Sequence, residues 1–291
     1  MRDQTTEQES CLLDLSGNWR KRDKKYLDQL LADSGRSIEL ILRRLPHPLL
    51  IKTVADIGSG YGTFSISLAL KGIKATAIEP SKSEREIASS ILKRHAKAKK
   101  YLRIINAKAE KLPLSNNSFD FCILSQVLEH VESPARTIKE ASRILKLGGY
   151  LYLGSPNYIF PVEQHYGLLY FPFMSKELLY RWVLFYFKYF KKQNFKNKDL
   201  LKTKKFVKSL NYTNHKMIKS LFEKNHLKIY WFVSNDNTSV LQQINNHWRV
   251  SPSIKSIPLI MISIPVKIVR LLFNITGLLP RKLEYLVIKV E

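Results

Sequence analysis

The sequence predicts an α/β fold, a mostly parallel seven-stranded sheet with helices on both faces. Two observations carry this: apolar runs of strand length alternate with helical segments, and a glycine-rich turn follows the first run directly. A third bounds the size, since 291 residues at 45% hydrophobic supply one sizeable core that carries insertions.

Residues 15 to 50 read as helical, with Leu27, Leu30, Leu31, Ile38, Ile41, Leu42 and Leu45 near helical spacing until Pro46 and Pro48 close the segment. Residues 1–50 are therefore expected to form an N-terminal helical lid or a packing helix pair. Thr53 to Ile57 is the first strand, Gly58 to Gly62 the turn, and Thr63 to Lys71 the helix that follows. Lys74 to Ile78 is the second strand, ending in Glu79, and Ser83 to Lys97 the next helix. Leu102 to Asn106 and Phe121 to Ser125 continue the sheet, followed by a helix from Pro134 to Leu145. Gly148 and Gly149 then turn the chain into the strand Tyr150 to Leu153. This defines a cofactor-binding core over 51–157.

After Pro156 the alternation breaks. Residues 158–212 form an aromatic, basic insertion, within which the Lys/Asn-rich piece 191 to 208 reads equally as a mobile linker or a solvated helix face. Residues 213–234 return to the core as helix and strand (Thr213 to Asn225, Leu227 to Val233). Residues 235–282 are a second, amphipathic insertion, and 283–291 hold the final core strand.

The charge balance is 48 Lys+Arg against 24 Asp+Glu, a net +24. It is uneven: 26 basic minus 17 acidic residues (+9) over 1–150, and 22 minus 7 (+15) over 151–291. Such charge speaks to anionic partners, either lipid head groups, nucleic acid or phosphorylated substrates, or to lysine drift in a biased genome. Two cysteines, Cys11 and Cys122, exclude a disulfide framework and fit a reducing compartment. The N-terminus lacks the basic start and apolar centre of a secretory signal. The expected location is the cytoplasm, with a peripheral place on the inner face of the membrane as an extension.

A glycine-rich turn after a strand brings backbone close to a ligand and aims helix N-terminal amides at it. Here it is Asp56-Ile57-Gly58-Ser59-Gly60-Tyr61-Gly62. Glu79, ending the next strand, is placed to accept the hydroxyls of a ribose. These two features alone read as a nucleotide-binding α/β domain.

Four ordered blocks add specificity: the glycine turn; Glu79; Ala109-Glu110-Lys111-Leu112-Pro113 leading to Ser118-Phe119-Asp120; and Leu128-Glu129-His130-Val131 followed by Arg143 to Gly149. Over roughly Val54 to Asn157 the chain resembles the class I S-adenosylmethionine-dependent methyltransferases, in particular the branch with the ubiquinone- and menaquinone-type methylases. The resemblance implies a Rossmann-like fold and S-adenosyl-L-methionine as cofactor. By the same resemblance, Asp56 and the backbone around Gly58, Gly60 and Gly62 would hold the methionine end, and Glu79 the ribose. Ala109 and Glu110 would border the adenine, and Ser125 and Gln126 the methyl group.

Methyl transfer from a sulfonium needs alignment and, for a hydroxyl acceptor, somewhere for a proton to go. His165 and His130 are the candidate bases, His165 first. No cluster of His, Cys and carboxylates has convincing metal spacing along the chain, so no metal is expected, although Glu129-His130 keeps one conceivable.

Arg181, Lys188 and Lys192 fall at helical spacing in the aromatic insertion, and residues 256 to 280 repeat the pattern of apolar bulk with basic edges. Both suit helices lying in a membrane interface, or packing over the sheet or in a dimer surface. The expected function is O-methylation, or C-methylation, of a lipid-linked or amphipathic small molecule at an anionic membrane surface. A nucleic-acid (RNA) methyltransferase and a catalytically inactive methyltransferase-like partner protein are the alternatives. Oligomeric state stays open.

Overall fold

A computed structural model describes residues 24–158, 162, 163, 165, 166, 168, 169, 174–189, 197–233 and 282–291. The second insertion, with its basic-edged stretch 256–280, lies outside the described residues, as do residues 1–23.

Five parallel strands form the body of the sheet: β1 (Thr53–Ile57), β2 (Lys74–Ile78), β3 (Leu102–Ile105), β4 (Phe119–Ser125) and β5 (Leu145–Pro156). A small antiparallel hairpin, β6 (Val162–Glu163) and β7 (Leu168–Leu169), stands apart. Two more strands, β8 (Leu227–Val233) and β9 (Lys282–Lys289), complete a seven-stranded sheet in the order β3-β2-β1-β4-β5-β9-β8. Only β9 runs against the others, pairing antiparallel with both β5 and β8. The order reverses between β1 and β4, which places a crevice at the carboxyl ends of those two strands.

The helices are α1 (Lys24–Arg43), α2 (Thr63–Leu70), α3 (Lys82–Lys93), α4 (Ala96–Lys99), α5 (Pro134–Ile144), α6 (Lys176–Tyr189), α7 (Asn197–Ser209) and α8 (His215–Glu223). Alternation along the strands sends residues to two cores, as a sheet covered on both faces requires. Ala55, Cys122, Leu124, Leu151, Leu153 and Tyr285 face α5 and α8, where Ile138, Ala141, Ile218 and Phe222 meet them. Val54, Phe121, Ile123, Tyr152 and Leu286 face the other way, against Ile38 and Ile41 of α1 and Leu68 of α2. In its described part, the N-terminal segment expected as a lid or packing helices is a helix packed on the core. Leu27 and Leu31 pack with Ile66, Ala69 and Ile91, and Ser34 donates to Thr63 (2.7 Å).

The aromatic insertion has its own apolar cluster. Leu179, Val183 and Phe187 of α6 are buried with Val207 of α7 and with Tyr158, Tyr166 and Leu168. Most of the piece expected as a linker or solvated face is thus the packed helix α7. Lysines dominate its composition and hide the spacing of Thr203 and Val207, both buried. Among the described residues no helix is long and apolar enough to cross a membrane.

Candidate active site

The glycine turn is shaped by three left-handed residues, Gly58 (φ 69°), Gly60 (φ 53°) and Gly62 (φ 67°). The amides of Gly58 and Ser59 both donate to the Ile78 carbonyl (2.8 and 3.0 Å), which ties the turn to the end of β2. A Cβ on Gly58 would come within 2.6 Å of the Val127 side chain, whereas one on Gly60 would meet nothing within 4 Å. The first glycine therefore serves close packing against the segment after β4, and the second opens outward to whatever binds there.

Glu79 is buried at the adjoining strand end. Its Oε2 accepts from the Gly60 amide and its Oε1 from the Ser81 amide, both at 2.9 Å. Arg85 donates to the Glu79 carbonyl (2.7 Å) and to Asn106 (3.1 Å), joining the ends of β2 and β3. Asp56 is also buried and accepts from the Ser65 hydroxyl (2.7 Å). Burial raises it to about 6, offset in part by Ser65 and reinforced by the Glu79 charge. A cationic group beside it would reverse that desolvation. The Ser59 hydroxyl is buried without a partner among the described residues.

These features fit S-adenosylmethionine. The exposed edge at Gly60, the orphaned Ser59 donor and a buried acid suit the methionine end with its ammonium and carboxylate. Glu79 at the end of β2 suits the ribose.

The other predicted positions divide. Ala109 is buried in the core between Ile105 and Leu112. One oxygen of Glu110 is engaged by the backbone, accepting from Glu132 (2.7 Å) and Ser133 (3.4 Å) ahead of α5. Ser125 ends β4, and Gln126 follows in a left-handed conformation (φ 58°), its amide bonded to the Gly154 carbonyl (2.7 Å). A non-glycine residue held there at the sheet's carboxyl edge is the kind of strain that functional sites retain. Two further motif residues hold the fold: Asp120 accepts from the Lys52 and Thr53 amides, and Arg143 binds Glu140 and the Leu112 and Leu114 carbonyls.

Beyond the glycine turn, the segment after β4 brings in Glu129 and His130, and the β6–β7 hairpin brings in His165. The two imidazoles meet edge to face with centroids 5.3 Å apart, and Phe206 of α7 lies 5.9 Å from the first and 5.3 Å from the second. Ligand atoms of Glu129, His130 and His165 lie within 4.8 Å of one another. The expectation of no metal cluster rested on spacing along the chain, and 35 residues separate the two histidines; the hairpin closes that distance.

Glu129 is fully buried, and neither carboxylate oxygen completes a hydrogen bond among the described residues. Burial pushes it up to about 7, moderated by its own backbone amide, then by His165, Lys282 and the nearby Ser155 hydroxyl. His130 has an outer surface open to solvent, yet crowding of its ring, then His165, pulls it down to about 4. Sequence reasoning missed three supports. Glu163, buried, accepts from His165 Nδ1 and the Tyr166 amide, both at 2.7 Å. Phe206 walls the imidazoles. Asn211 locks the segment, its amide donating to the Glu129 carbonyl and its side chain to those of Leu128 and Val131.

The comparisons agree with this geometry. A family described as a methyltransferase domain matches residues 55–153. An uncharacterized protein of Mycobacterium tuberculosis is 32% identical over 130 residues, 43% of this chain and 42% of that one. An uncharacterized methyltransferase of Mycobacterium leprae is 30% identical over 142 residues, covering 48% of this chain and 51% of the relative. The aligned region thus spans about half the length of these relatives. In fold, the chain is similar to a candidate S-adenosylmethionine-dependent methyltransferase of Listeria monocytogenes (TM-score 0.52, 14% identity, 89% of this chain and 99% of that chain). The glycine turn, its partner Glu79 and the strands from β1 into β5 lie in the stretch 55–153 that matches the methyltransferase-domain family, and the fold around them is similar to that of S-adenosylmethionine-dependent methyltransferases.

Proposed function

We propose that the protein transfers a methyl group to an oxygen of an amphipathic or lipid-linked small molecule at an anionic membrane surface. The observation that carries this reading is the continuity of two half-sites. Val127 packs on Gly58 of the cofactor turn, and its carbonyl accepts the His130 amide three residues on (2.9 Å). The cofactor supplies an activated methyl on a sulfonium. Asp56, the Gly58–Gly60 backbone and Ser59 orient its methionine end, and Glu79 its ribose. Glu129, His130 and His165 face the acceptor and manage its proton, while Phe206 limits water at that wall.

The membrane part rests on the outside of α6. Leu178, Arg181, Phe185, Lys188 and Tyr189 are exposed on one face, with Phe185 stacked on Trp182 and close to Tyr189. Aromatic and aliphatic bulk edged by cations suits a lipid interface, where each basic residue contributes about 1 kcal/mol. The net charge of +24 acts in the same direction.

Calorimetry of S-adenosylmethionine binding, with and without phosphatidylglycerol vesicles and with co-sedimentation of the same samples, tests both parts. Cofactor binding with sedimentation is the expected result. Binding without sedimentation removes the membrane surface and directs the search to soluble acceptors, RNA included. Absence of cofactor binding overturns the enzyme reading.

A further inference from the structure

We propose that Glu129, His130 and His165 bind a divalent first-row transition-metal ion, with Glu163 as the residue that orients His165. The inference deepens the methyl-transfer reading, resting on it for what the ion does and not for whether it binds.

Four observations converge. The three ligand atoms already lie within 4.8 Å of one another. Around an ion with ligand bonds of about 2.0–2.1 Å, tetrahedral neighbours stand roughly 3.4 Å apart, so modest side-chain adjustment closes the triangle. Glu129 is fully buried with both oxygens unpartnered among the described residues. A buried carboxylate whose oxygens make no hydrogen bond is costly, and a cation removes that cost directly. His165 Nδ1 is bonded to Glu163 Oε1 at 2.7 Å, and Glu163 is itself fixed by the Tyr166 amide. A proton held on Nδ1 leaves the lone pair on Nε2, the arrangement in which a carboxylate orients a metal-binding imidazole. Finally, His130 meets His165 edge to face beside the Phe206 wall, so the two imidazoles are held as direct neighbours.

The donor set decides the class of ion. Two imidazoles and one carboxylate suit Zn2+, Fe2+ and their neighbours, whereas Mg2+ and Ca2+ prefer oxygen alone. Three protein ligands leave a coordination position for an oxygen from outside. An acceptor hydroxyl bound there loses its proton to solvent water, because the ion lowers its pKa. The oxygen then forms the new carbon–oxygen bond as the methyl–sulfur bond breaks with its electron pair left on sulfur. The imidazoles are then ligands, and the ion takes over the part of the base.

The test uses the full chain, stripped with a chelator and free of cofactor. Titration with Co2+, followed by visible absorption, and with Zn2+, followed by calorimetry, is expected to show one saturable site. His165→Ala should weaken it by about 100-fold or more, and Glu163→Gln by about 10- to 100-fold. Glu79→Ala should leave metal affinity within about twofold while abolishing S-adenosylmethionine binding, so a failed metal site and a failed cofactor site give different signatures. No saturable binding below about 1 mM, or equal affinity in wild type and His165→Ala, overturns the proposal. Should His165→Ala lose its fold by circular dichroism, X-ray absorption of the Zn2+-loaded wild type decides: two imidazoles and a carboxylate support the site, and any other ligand set rejects it.

Discussion

The cofactor half and the acceptor half of the crevice are built in opposite ways. On the cofactor side the polar groups are near in sequence and tied to backbone: the Gly58 and Ser59 amides to Ile78, and Glu79 to Gly60 and Ser81. On the acceptor side the groups come from separate segments, and the carboxylate of the most buried of them, Glu129, has no hydrogen bond among the described residues. The first half is held by backbone hydrogen bonds before any ligand arrives, with Ser59 and Asp56 left to meet the ligand; the second leaves a whole carboxylate unmet. Substitutions on the cofactor side should therefore act mainly on binding, and those on the acceptor side on both stability and chemistry.

The largest expected effect is on cofactor affinity. Gly60→Arg fills the open edge of the turn and should remove detectable S-adenosylmethionine binding by calorimetry. Glu79→Ala should likewise remove detectable binding, a loss of about a thousandfold or more, roughly 4 kcal/mol. His165→Ala should leave it nearly unchanged. Equal losses in all three would erase the distinction between the halves.

Next comes Asp56, a cofactor-side acid whose burial is incompletely compensated. Its folded-state pKa of about 6 lies above the ordinary 3.8, so the folded form binds the extra proton. The stability it contributes is full below about pH 4 and lost as pH rises through about 6, amounting to at most about 3 kcal/mol. In cofactor-free protein, Asp56→Asn should flatten the melting temperature across this window and raise it at pH 8, while weakening the cofactor. A wild-type profile that rises from pH 4 to 7 with no Asp56 component would sink this account.

Asn211→Ala sharpens the acceptor half. It strips the Leu128 and Val131 carbonyls of their donor and should cost about 1–2 kcal/mol in denaturant unfolding. Turnover should fall more than cofactor affinity, because the segment carrying Glu129 and His130 is loosened. The smallest effect is expected at the exposed face of α6: Phe185→Ser should leave stability within about 0.5 kcal/mol and reduce phosphatidylglycerol vesicle binding several-fold. Unchanged sedimentation would assign that face to something other than lipid.

Legibility followed the same division. The strands, the glycine turn and Glu79 are contiguous patterns whose periodicity and turn chemistry act over a few residues, so they can be read directly. The role expected of Glu110 was readable only as a position; that one of its oxygens is engaged ahead of α5 depends on a loop more than 20 residues away. Between the two readings of 191–208, linker or solvated helix face, the order of residues gave no choice, because the apolar face of α7 is narrow and acquires meaning only against Val183 and Phe187 of α6.

By itself, then, the amino-acid order determined the sheet, its cofactor turn and the acid that partners it, since local steric and hydrogen-bonding rules select these from short stretches. Only the tertiary structure decided that Glu129, His130, Glu163 and His165 share one corner, with Phe206 and Asn211 as wall and latch. Those side chains meet through packing of segments far apart in the chain, and no spacing rule along the sequence encodes that proximity.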